Sequence, residues 1–280
     1  MTLSAIPGSP AARLRAGGVS DERFAGNRVV AAASIEAAAG PGGVTRLPVL
    51  ASQVPLVLRR TPSAVYLVGG AAGPIGGDSL ALGITVGPGA FLRVRSAAAS
   101  IALPGLDGLE SVLRVSVTVG ERGRFEYLPE PVVVTAGARH ATLVSVTLAV
   151  GASLVLRDEV LLGRHGEAGG TARSVLQVSY AGRPLLRQSL AVSGTDPASL
   201  GPAMLSGHRA VGSLLLVNHS GSGADGTGTS AGAGGTGTVS YAAGMGRATP
   251  EMAVMPLAGP GVLVTALARD AVTLRRRLTR

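Results

Sequence analysis

The chain contains no cysteine, no tryptophan and no lysine. Without cysteine there can be no disulfide, no thiolate metal site and no cysteine nucleophile. Without lysine, no glycine-rich segment can end in the Gly-Lys-Ser/Thr of a phosphate-binding loop. Three Phe and four Tyr offer few platforms for stacking on bases, so nucleic acid is not an expected partner. The core is left to Val, Leu, Ile and Ala, a composition whose β-branched share favours sheet. No apolar run reaches the roughly 18 to 20 residues of a membrane helix, and the first residues lack the apolar stretch of a secretory leader. A cytoplasmic protein with no membrane partner is expected. The net charge of +9 is carried by arginine alone, which leaves an acidic partner surface in play.

What is present is glycine, 42 residues of it, and 17 prolines, enough to punctuate many short strands. Period-2 alternation predicts strands at 28–35, 56–58, 65–68, 80–86, 91–95, 113–119, 124–128, 132–134, 142–150, 154–156, 175–180 and 186–192. That spacing predicts an all-β fold, whether sandwich, barrel or solenoid. Thr85-Val86-Gly87, Thr118-Val119-Gly120 and Ala149-Val150-Gly151 each end a strand about thirty residues apart, a period that suits the stacked rungs of a solenoid. Around Gly87-Pro88-Gly89 the flanking alternation, Leu80 to Val86 and then Leu92 and Val94 against Arg93 and Arg95, predicts a half-buried hairpin. Helix is expected at 196–210, opened by Asp-Pro-Ala, and from Asp270, where Ala271, Leu274 and Leu278 share a face. Beyond the apolar run at 214–217, a strand is expected at 262–267. Residues 1–25 are expected to form a flexible arm, 26–280 a single β domain, and 220–238, almost pure Gly, Ser, Thr and Ala, a flexible loop.

The four histidines, His140, His165, His208 and His219, lack any recurrent metal-ligand spacing and are expected at the surface or in loops. Among them His165 is the best ligand candidate, with Glu167 two residues on, although no stable metal site is predicted. No Gly-x-Ser-x-Gly elbow sits between a strand and a helix, and Gly221-Ser222-Gly223 falls in the low-complexity segment, so Ser-His-Asp catalysis is not expected. The sharpest enzymatic alternative is a β-solenoid polysaccharide lyase or hydrolase using Glu126 with Glu130, or Asp158 with Glu159. Chain neighbours in a strand face opposite sides, which argues against the second pair. Asp78, Glu126 and Asp158 read either as acids that cap turns and pair arginines, or as the polar lining of a wet interior passage.

The run from Val65 to Ser96 carries the densest pattern: Gly69, Gly70, Gly73, Gly76 and Gly77 lead into Asp78 and a strand. It resembles the Gly-Gly-x-x-Gly-Gly-Asp block of the urease accessory protein family UreD, also called UreH. Three further blocks agree in order: Phe125 to Pro131 followed by Gly137-Ala138-Arg139, Asp158 to Arg164 with its Leu-Gly-Arg ending at Gly163 and Arg164, and Gly182-Arg183-Pro184-Leu185. The chain departs from the family at Arg95 to Ala99, where only Ser96 keeps a hydroxyl, at Glu130-Pro131, and at Arg157, where the family often has Trp. The resemblance implies an irregular β-helix with a small helical part near the C-terminus. It also implies a non-enzymatic scaffold that binds apo-urease and UreF-like and UreG-like proteins and relays nickel, held transiently, through an internal passage. Asp78, Ser96, Glu126 and Asp158 are the passage residues it points to.

Overall fold

The computed structural model describes residues 28–218 and 247–279. The expected arm at 1–25, the loop at 220–238 and His219 lie outside them. The chain winds between two facing sheets. In the first, β1 (Val30–Ala39) and β2 (Thr45–Ala51) pair antiparallel at one edge. Then β5 (Ser79–Val86), β8 (Ser111–Val119), β11 (Arg139–Leu148) and β13 (Thr171–Tyr180) follow in parallel, and β14 (Arg183–Ser193) closes the other edge. The second sheet contains β3 (Leu56–Arg60), β4 (Val65–Gly69), β6 (Phe91–Ser96), β9 (Arg124–Leu128) and β12 (Ser153–Leu162). It continues through β15 (Ala210–Val217), β18 (Gly261–Ala268), β17 (Met252–Pro256) and β16 (Arg247–Thr249). Two short strands, β7 (Ser100–Ala102) and β10 (Val132–Val134), stack in line with the end of β12.

Each rung supplies one strand to each sheet, the all-β solenoid that the thirty-residue period suits and the family resemblance implies. Thr85 and Val86 lie beside Thr118 and Val119, in the register the repeat requires. On the third rung Thr147 and Leu148 take those places, so Ala149-Val150-Gly151 stands two residues further along. Alternation holds strand by strand: on β8, Val115, Val117 and Val119 are buried, while Arg114, Ser116 and Thr118 are exposed.

The hairpin expected at Gly87-Pro88-Gly89 does not form. Its two strands, β5 and β6, lie in different sheets, and the turn is a corner of the solenoid. Its backbone donors bond to neighbouring rungs: Gly87 N–H to the Ala37 carbonyl at 2.7 Å and Gly89 N–H to Glu121 at 2.9 Å. Alternation reports which side of a strand is buried, not which strand lies beside it.

The 196–210 helix shrinks to one turn, α1 (Pro197–Leu200), capped by Asp196. Gly201 is extended, φ −65° and ψ 167°, and precedes Pro202; a residue before proline is pushed out of the helical region. The last helix, α2 (Ala271–Leu278), starts as expected, with the Asp270 carboxylate accepting from Thr273 N–H at 2.8 Å. Its Leu274 and Leu278 pack on the outer face of β15 and β18. Strand β2 is missed by the alternation because Pro48 interrupts it; at a sheet edge the missing N–H costs no ladder bond.

Candidate functional site: a polar row through the aliphatic core

The interior between the sheets holds two separate apolar clusters. One contains Leu82, Val117, Val144, Leu156 and Leu176; the other Val134, Val160, Leu162, Ala172 and Val192. Buried polar side chains run between them. On the first sheet Ser111 stands beside His140, and Thr142 beside Ser174, all on inward positions of parallel strands. Asp78 precedes β5 at the level of Ser111, its carbonyl accepting from Val112 N–H at 2.8 Å. From the facing sheet Asp158 enters between Leu156 and Val160, and the Ser174 hydroxyl donates to its Oδ2. Directly across from Asp158 on β15 is Ser213, and across from Ser213 on β18 is Thr265.

An unpaired polar group in such a core costs a few kcal/mol, so the partners matter. The Ser111 hydroxyl lies 2.9 Å from His140 Nδ1 and the Thr142 hydroxyl 3.3 Å from Nε2. Both contacts are satisfied by a neutral ring with Nδ1–H donating to Ser111 and Nε2 accepting from Thr142. Burial holds the imidazole at a pKa of about 4, with the Glu110 charge pulling the other way. Burial also raises the Asp158 carboxyl; the Ser174 hydrogen bond opposes it and the Glu159 charge adds to it. Tyr127, buried on β9, is raised by burial and by the nearby Asp158 charge.

The row opens into a cavity of about 410 Å³ whose walls include Asp158, Ser174, Ser213, Gln188, Glu251 and Met252. Seven strands, β12 through β18, contribute to it.

Of the four acids and hydroxyls expected to line a passage, Asp158 alone borders this cavity. Asp78 is 2% exposed and serves as a turn cap, accepting from Val29 N–H at 2.9 Å and Ile75 N–H at 2.8 Å. Glu126 faces outward on β9 and takes the Arg93 guanidinium at 2.5 Å. The Ser96 hydroxyl donates to the Ala98 carbonyl and accepts from Glu130 N–H. In the Gly-Gly-Asp loop, Gly76 lies against Gly105 and Leu109, and Gly77 has φ +94°.

His165 is exposed, and Glu167 is fully engaged by the Arg164 guanidinium and the N–H groups of Arg164 and Ala136, which hold its carboxyl at about 2. Gly163 stands in the left-handed region at φ +74°, and the Arg209 guanidinium gathers the carbonyls of Leu162, Gly163 and Arg164. His140 corrects the surface expectation: it occupies an inward position of β11 and is 3% exposed. Ser111, His140, Thr142 and Ser174 were legible only as polar residues in the buried phase of their strands. Among the described residues no three histidine or acid side chains gather where one ion could bind.

Each carboxylate of the enzymatic alternative is engaged by other partners, Glu126 by Arg93 and Glu130 by Arg275. Asp158 points into the core, whereas Glu159 points out and is held by two arginines: Arg157 Nε at 3.3 Å and Arg275 Nη2 at 2.5 Å. Glu130 also takes Arg275, at 2.8 Å. Arg157 Nη2 donates to the Pro129 carbonyl at 2.8 Å, where the chain leaves β9 at Pro129-Glu130-Pro131 before β10. These four side chains fasten α2 to the solenoid. No helix among the described residues is long and apolar enough to cross a membrane.

Fold and site together define a two-sheet β-solenoid with a buried polar row leading to a cavity at one end. Residues 30–280 match the family model described as UreD urease accessory protein. Urease accessory protein UreD of Frankia alni is 42% identical over 290 residues, spanning 90% of this chain and 91% of that one. Urease accessory protein UreD 3 of Streptomyces griseus is 44% identical over 243 residues, spanning 84% and 88%. UreD of Streptomyces coelicolor is 41% identical over 245 residues, spanning 85% and 89%. The chain belongs to the UreD family of urease accessory proteins.

Proposed function

We propose that this chain is a non-catalytic scaffold of urease maturation in the cytoplasm, holding apo-urease together with UreF-like and UreG-like proteins and passing nickel as transient cargo. The observation that carries this reading is the polar row from Ser111 to Asp158, kept in a largely aliphatic core and ending at the cavity. Buried hydroxyls and a carboxylate contribute less to stability than aliphatic side chains packed in the same places, so stability alone does not account for them. Oxygen and imidazole donors without thiolate suit brief, exchangeable contact with a borderline divalent ion.

Co-production with urease subunits and the other accessory proteins tests it. Asp158→Ala and Ser174→Ala are expected to lower the nickel content and activity of the urease while the complex still co-purifies. Loss of complex and fold together would make both residues structural. Full activation by both variants would remove the passage and leave the family membership standing.

A further inference from the structure

The outer face of the second sheet is divided in two. Over β15 and β18 it is covered by α2; over β3, β4, β6 and β9 no comparable element covers it among the described residues. On the uncovered half the ladder sets Arg59 beside Tyr66 and Tyr66 beside Arg95 in one row. The next rows pair Arg93 with Glu126 and Phe91 with Arg124. The guanidinium groups of Arg93 and Arg124 lie 5.6 and 5.3 Å from the Phe91 ring centre. Glu126 is the acid of this face, and Arg93 already holds it. Arg59, Arg95 and Arg124 have no carboxylate within ion-pair distance among the described residues. Arg95 also lies near enough to Arg157 to disfavour its charge.

We infer that this face is a docking surface for an acidic protein partner, whose carboxylates meet Arg59, Arg95 and Arg124. The three arginines stand on the same outer side of neighbouring strands, and each guanidinium can take a carboxylate through two parallel N–H bonds. A polypeptide can set its acids to either side of Glu126, whereas a phosphodiester backbone brings a charge at every nucleotide. Phe91 is already engaged by two guanidinium groups, which leaves Tyr66 as the aromatic ring of these rows, a single platform where single-stranded nucleic acid stacks successive bases. The face lies across the sheet from the cavity, and the inference does not rest on the nickel reading.

The test uses the full chain, a dye-labelled oligo-glutamate peptide and, as the competing class, a single-stranded DNA of equal charge, followed by fluorescence anisotropy. Replacing Arg59, Arg95 and Arg124 together by Gln is expected to weaken peptide binding by about tenfold or more. Replacing Arg139, Arg183 and Arg187, exposed on the first sheet, removes the same charge and is expected to change binding by less than about twofold. Single substitutions are measured alongside, so a misfolded triple variant still leaves a readout. An equal loss in both triple variants, no peptide binding by the parent, or tighter DNA binding lost with the same three arginines would overturn the inference.

Discussion

Asp158 and Glu159 are adjacent on β12 and serve opposite faces of one sheet: Asp158 takes the Ser174 hydroxyl inside the core, and Glu159 takes Arg275 of α2 outside it. A single strand therefore joins the interior row to the clamp that holds the C-terminal helix. The Glu159 charge is felt at Asp158, so altering the clamp also alters ionisation in the row.

His140 gives the fold a pH dependence of known sign. Its folded pKa is about 4 against an ordinary 6.5, so between those values the unfolded chain binds more protons and stability rises with pH. The contribution is complete above about 6.5 and is lost as pH falls through about 4, and it amounts to about 3 kcal/mol. Denaturant unfolding of the parent and of His140→Gln across this window should show a shallower pH slope in the variant. Parallel slopes would mean that the ring is not held neutral.

Arg275→Ala should destabilise the chain by about 3 kcal/mol, because Glu159 is wholly covered and loses its closest counter-charge. Arg275→Lys should recover part of this, since an ammonium cannot serve Glu130 and Glu159 with the same fork. Thermal unfolding gives the magnitude, and faster proteolytic trimming beyond Ala268 would report release of α2. A change under about 1 kcal/mol would class the pair with ordinary surface bridges.

Gly76→Ala should cost about 2–3 kcal/mol, because the added methyl would stand 2.5 Å from Gly105 N and 2.7 Å from the Leu109 carbonyl, both backbone atoms. Gly83→Ala, on the outer side of β5 with its nearest neighbour 4.0 Å away, should stay within about 0.5 kcal/mol. Unfolding midpoints that rank the two the other way round would refute the close-approach account of this motif.

Local chemistry was legible in the chain. The strands at 124–128 and 132–134 stand where alternation places them, Asp270 caps the last helix, and the rung period is visible at Val86 and Val119. These features depend on a residue and its near neighbours. Even the phase of Asp158, in step with Leu154 and Leu156, and of Glu126, out of step with Phe125 and Tyr127, can be read from the strand.

Only the tertiary structure decided what those phases meet. The strands flanking Gly87-Pro88-Gly89 look alike as a hairpin or as a solenoid corner; the stacking of rungs chose the corner. His140 is buried because its strand lies between β8 and β13 with the second sheet facing it, and the cavity exists because strands of both sheets, β12 through β18, border it. Alternation is a property of one strand, whereas burial and charge pairing arise when a second surface excludes water. The identity of that surface is set by contacts between residues distant in the chain.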